Sequence, residues 1–126
     1  MRHERIMRAV IREERLRATA GLREPPALTS WRGRSGRRYV VGIHPANEAE
    51  VADLSDAVLI AVQRGEDGRA EMLDVLAPEA RSSRRQRLRW LSAMRSRGAT
   101  ELHVHRLAES EAERRAVAAD LAVGSP

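Results

Sequence analysis

Ala57-Val58-Leu59-Ile60-Ala61-Val62 is the stretch whose reading decides the fold. It is apolar at every position, as a strand covered on both faces must be. It is also far short of the ~20 apolar residues that a membrane helix needs. Arg64-Gly65-Glu66-Asp67-Gly68-Arg69 then reads as a turn, and Glu71 to Leu76 returns as the hairpin partner. Upstream, Arg38-Tyr39-Val40-Val41-Gly42-Ile43-His44 alternates with period two and stops at Pro45, which predicts a strand. Downstream, a serine at 82 or 83 opens a helix that Gly98 ends after Arg97, with Leu88, Leu91 and Met94 on its inner stripe and Trp90 at the edge. Thr100 to Leu107 reads as a fourth strand. Ser110-Glu111-Ala112-Glu113 reads as a capping box that opens a last helix to about Val123.

The N-terminal part is read differently. Residues 2–20 lack Pro and Gly, and they set Ile6, Met7, Val10 and Ile11 on one arc of a helical wheel. Glu4 and Glu13 each precede an arginine by four residues, the favourable orientation for helix pairs. Pro25-Pro26, Gly33 and Gly36 mark the following segment as a linker, with Trp31 as its docking anchor. The organisation expected is an amphipathic helix within 1–22, a linker over 23–37, a core domain over 38–123 and a tail at 124–126. The fold class is α+β: a small mixed or antiparallel four-stranded sheet in the order α-β-β-β-α-β-α.

The chain has 126 residues, enough for one domain with a proper core, and no cysteine, so neither disulfides nor thiolate chemistry are in play. All 23 basic residues are arginine, which fits coding bias in a GC-rich bacterial genome. Without lysine there is no Schiff base and no lysine of a phosphate-binding loop; every cation is a permanently charged planar fork. The N-terminal stretch holds too many acids for a transit peptide and no apolar run long enough for secretion, so the location expected is cytoplasmic.

Charge is segmented. Residues 1–38 hold 11 arginines against 4 acids, 39–80 hold 2 against 9, and 81–97 hold 7 against none. Arg81, Arg85 and Arg89 recur every four residues on one stripe, and Arg34, Arg37 and Arg38 cluster in the linker. Like charges at that spacing repel by a few tenths of a kcal/mol per pair, so something must offset them. Acids of the chain itself or the phosphates of a partner are the two candidates.

Several chemistries are weaker. His103 and His105 lie on one face of their strand, as two metal ligands would, but a zinc site needs at least one more ligand, and His3 and His44 sit at no signature spacing. A polar face on an edge strand explains the pair more simply. With Asp56 and Asp74 at the second and third strands, the element order resembles that of restriction-type nucleases, where such acids hold magnesium. The lysine which that family carries two positions after the acid is Leu76 here. The ribonuclease H arrangement would need an aspartate on the first strand, and there is none. Two Trp, one Tyr and no Phe make no stacking platform for single strands.

The function expected is a non-catalytic binding module without a cofactor. It engages an anionic partner, nucleic-acid backbone or an acidic protein surface, through Arg34, Arg37, Arg38, Arg81, Arg85 and Arg89, away from any membrane. The alternative is an accessory or regulatory protein that docks on a larger protein, or on its own copy as a homo-oligomer, through Ile6, Val10 and Trp31. A metal-dependent hydrolase or degenerate nuclease on Asp56, Asp74, His103 or His105 is the minority reading.

Overall fold

The computed structural model describes residues 13–15, 26–47, 51, 54–79 and 81–122. Among them are six strands and two helices: β1 (Glu13–Arg15), β2 (Leu28–Arg32), β3 (Arg38–Pro45), β4 (Val58–Arg64), β5 (Ala70–Leu76), α1 (Arg84–Ser96), β6 (Glu101–His105) and α2 (Glu111–Leu121). The strands form one sheet in the order β1-β2-β3-β6-β4-β5, antiparallel at every junction. The class is α+β, but the sheet has six strands rather than the four expected.

The two additional strands fall in the segments read as helix and linker. Leu28-Thr29-Ser30-Trp31-Arg32 pairs along its whole length with β3, Trp31 opposite Tyr39 and Thr29 opposite Val41. Its Thr and Trp are good strand formers, and the flanking Pro26 and Gly33 bound a strand as readily as a linker. Glu13–Arg15 pairs with Trp31 to Thr29 and is therefore strand, not helix. The rest of the expected N-terminal helix, with Ile6 and Val10, lies outside the described residues.

β4 is the centre of the core: Ala57 to Val62 are each at most 1 % exposed. One face carries Val58, Ile60 and Val62, packed with Trp31, Tyr39, Val41, Val117 and Leu121. The opposite face carries Leu59, packed with Leu102, Val104, Val51 and Leu91. α2 thus covers the first face and α1 the second. β6 lies between β3 and β4, so it is a central strand and both its faces are buried. That corrects the reading of its histidines as an edge strand's polar face.

The sheet curls into a half-barrel. Side chains of the first face meet across intervening strands: Trp31 of β2 reaches His103 of β6, and Arg64 of β4 reaches Glu13 of β1. Helix ends follow local rules. Ser83 caps α1 in a reciprocal box with Gln86, and Gly98 ends it with φ 106°, a value that favours glycine. Ser110 accepts from Glu113 N–H, while the Glu113 carboxylate takes Glu109 N–H rather than the cap's own.

Candidate functional site

Two polar constellations stand out, one exposed and one inside the half-barrel. The exposed one is made of arginines. α1 turns Arg87, Leu91 and Met94 into the core and leaves Arg84, Arg85, Arg89 and Arg95 in solvent, with Arg81 exposed just before it. Arg85 and Arg89 are one turn apart, about 6 Å along the axis. The turn between β2 and β3 exposes Arg34 and Arg37, and Arg38 is exposed where β3 begins. β3 starts and β5 finishes at one end of the sheet, so the hairpin and the entry to α1 lie toward that end, the hairpin beside α2 on one face and α1 on the other.

Between described residues, ion pairs engage Arg64, Arg69 and Arg115; Arg34, Arg81, Arg85 and Arg89 have none, and the Arg37 charge acts on Asp120 without a contact pair. Arg38 carries interactions of its own. The arginines singled out in the sequence are exposed, as are Arg84 and Arg95. Arg87, from the same basic run, is instead buried and donates to the Val51 and Ser82 carbonyls. The run's density of arginine hid that exception; its helical phase with Leu91 was the available signal.

The hairpin that carries Arg34 and Arg37 is tied to the last turn of α2. Asp120 accepts Ser35 N–H at 2.8 Å, the Ser35 hydroxyl at 2.6 Å and the Tyr39 hydroxyl at 2.7 Å. Arg34 N–H donates to the Asp120 carbonyl at 3.0 Å. Desolvation would raise the Asp120 carboxyl, but the bonds from Ser35 and Tyr39 outweigh it and hold it below the usual carboxylate range. Burial, followed by the Asp120 bond and charge, pushes the Tyr39 phenol up. Beside them runs an open groove of about 330 Å³, lined among others by Arg37, Tyr39, Glu113 and Val117.

The interior constellation joins residues that no spacing in the sequence brings together. Trp31 Nε1–H donates to His103 Nδ1 at 2.9 Å, and His103 Nε2 lies 2.9 Å from Glu101 Oε1. An indole only donates, so Nδ1 carries the lone pair and Nε2 the proton, which it gives to Glu101. Burial pushes the His103 imidazole down, and the opposing pull of Glu101 does not recover it. Burial would raise the Glu101 carboxyl, but Arg64 and His103 hold it below its ordinary range. Arg64 forks onto both Glu101 and Glu13, and those bonds raise its pKa further.

In this arrangement the polar groups are bonded to one another, as in a structural brace. His103 has both ring nitrogens occupied and offers a metal no lone pair. His105 gives Nδ1–H to the Val40 carbonyl at 2.8 Å and packs edge-on against Tyr39. Asp74 accepts the Trp90 indole N–H at 2.8 Å, and Asp56 is exposed in the turn before β4. Asp74 pairs with Ala61 inside β4, whereas Asp56 lies in the bend that precedes that strand, so the two carboxylates stand at different levels of the sheet. No group of three or more His, Cys, Asp or Glu among the described residues is placed to hold a metal ion. Trp31 is 1 % exposed, so its anchoring is internal to this chain rather than a contact offered to a partner.

No protein-family model, curated protein or solved structure matches this chain. No helix among the described residues is long and apolar enough to cross a membrane.

Proposed function

We propose that this protein is a non-catalytic module that binds the phosphate backbone of double-helical nucleic acid, with α1 and the β2–β3 hairpin as its contact surface. The observation that carries the reading is the outward face of α1 with the turn before it, where Arg85 and Arg89, and Arg81 in the turn, are exposed without an ion-pair partner among the described residues. Phosphates offset the mutual repulsion of such a stripe and gain charge-assisted bonds from its planar forks. A duplex is favoured over a single strand because the three aromatic rings are spoken for. Trp31 and Tyr39 are buried in the core, and Trp90 alone, half-buried and bonded to Asp74, makes no stacking platform.

The test is a salt titration of binding by fluorescence anisotropy, on a short DNA duplex and on a structured RNA. Contacts from Arg81, Arg85, Arg89 and two hairpin arginines give a slope of log affinity against log salt of about −4.5 on DNA, from roughly −0.9 per phosphate. Arg85→Ala is expected to flatten that slope by about one unit and to weaken all sequences alike, since a backbone contact carries no base information. Absence of binding to either duplex at about 50 mM salt removes the reading, as does tight binding indifferent to salt.

A further inference from the structure

We infer that Asp120 is the positioning residue of the arginine-bearing hairpin: its carboxylate fixes the turn so that Arg34 and Arg37 reach phosphates in concert with α1. This rests on the binding function proposed above. The hairpin tip is exposed from Arg34 to Arg38, so packing does not hold it. Its own backbone supplies two bonds, Gly33 N–H to Arg37 and Gly36 N–H to Gly33. Asp120 adds four more from an element over eighty residues away in sequence, three to its carboxylate and one to its carbonyl.

Residue 33 is part of the same design. A Cβ there would run into the Asp120 carboxylate and approach the Tyr39 ring to 3.0 Å, so glycine is what lets the carboxylate in. The carboxylate oxygens accept from Ser35 and Tyr39, and the Arg37 charge lies close enough to act on Asp120 without a contact ion pair. Arg34 and Arg37 themselves are exposed.

Geometry and charge make opposite forecasts, which makes the inference testable. A carboxylate beside the arginines repels a polyanion, so if only its charge matters, removing it tightens binding. If it positions the hairpin, removing it weakens binding. Asp120→Ala and Asp120→Asn have the same net charge and differ in hydrogen bonding alone. Asparagine keeps an acceptor for Ser35 N–H, and its amide protons face two hydroxyls that accept as readily as they donate.

In the duplex DNA titration, Asp120→Asn is expected to keep the slope of the unaltered protein. Asp120→Ala is expected to flatten it by about 1.8, the loss of two phosphate contacts. Equal slopes for the two variants overturn the inference, whether both are steep or both are flattened. Should Asp120→Ala fail to fold, the double variant Ser35→Ala/Tyr39→Phe removes two of the three donors without changing charge, and a flattening of its slope is expected. An unchanged slope there also refutes the positioning role. If the unaltered protein binds no duplex, the proposed function falls and takes this inference with it. If it binds with the expected slope and Asp120→Ala binds identically, only the inference falls.

Discussion

Arg64→Ala is the substitution that tests the interior brace most directly. Arg64 donates five bonds: Nε to Glu101 Oε2 at 3.1 Å, Nη2 to Glu101 Oε1 at 2.8 Å and to Glu13 Oε2 at 3.0 Å, and Nη1 to Glu13 Oε1 at 2.8 Å and to the Gly68 carbonyl at 2.9 Å. Truncation leaves two carboxylates facing each other, with side chains only 8 % and 21 % exposed. Removing one partner of a buried pair costs ~3–5 kcal/mol, because the remaining charge is desolvated and uncompensated. The partial exposure of all three groups puts this case near the bottom of that range, about 3 kcal/mol. For a domain of this size that lowers the melting midpoint by about 10 °C. Urea denaturation followed by circular dichroism measures it. Adding Glu13→Gln to Arg64→Ala is expected to return part of the loss, since one orphaned charge is gone. If Arg64→Ala lies within about 0.5 kcal/mol of the unaltered protein, the brace is a surface ion pair of the weak kind and the reasoning fails.

Other expectations concern pH and packing. Stability falls as pH drops through about 6.5, where the unfolded His103 gains a proton that the folded chain refuses. It falls further through the acid range as Glu101, whose folded carboxyl is depressed from its ordinary 4.5, is protonated. Above about pH 10 it falls again, because the unfolded Tyr39 ionises before the folded one. Urea midpoints across pH check all three limbs, and a flat profile between pH 5 and 7 would falsify the His103 assignment. Trp31→Phe strips His103 Nδ1 of its donor and is expected to cost at least ~1–3 kcal/mol, read by thermal melting. Leu59→Ala in the middle of β4 is expected to cost ~2–5 kcal/mol. Amide exchange at Leu59 to Ala61 as fast as at the hairpin tip contradicts the central placement of that strand.

What could be read from the sequence was local. β4, its hairpin with β5, both helices and β6 each carry their period and end signals within a dozen residues, and all appear near the expected bounds. β1 and β2 do not work that way. Glu13-Glu14-Arg15 has helix-type charge spacing, and it is a strand because β2 offers a ladder and Arg64 reaches across to Glu13. Strand order was likewise illegible: β6 is inserted between β3 and β4 by pairings some forty to sixty residues distant, and only that insertion buries His103 and His105. The brace draws on five residues from four separate strands, so no spacing in the sequence announces it. Its faint signals were a lone Trp beside strand-forming residues and a lone Arg at the end of an apolar run.

The placement of charge bears on function more than the total does. In sequence, an acidic block between two basic ones invites the expectation that the blocks neutralise each other on folding. Between described residues, the ion pair that joins two blocks runs the other way: Arg64 comes from the acidic stretch, and its partner Glu13 from the basic N-terminal one. Two further acids of residues 39–80 have other partners, Asp67 on Arg69 and Asp74 on the Trp90 indole of α1. Among the described residues, Arg84, Arg85, Arg89 and Arg95 of α1 have no ion-pair partner on the sheet. A ligand that binds the folded chain and relieves the repulsion of such a stripe stabilises the protein by mass action. Short duplex DNA at low salt is therefore expected to raise the melting midpoint, with the increase shrinking as salt is added. The same salt without DNA is expected to raise the midpoint slightly, by screening the stripe. A midpoint that falls with added salt in the absence of DNA indicates that these arginines are paired after all, and that the exposed face is not poised for an anion.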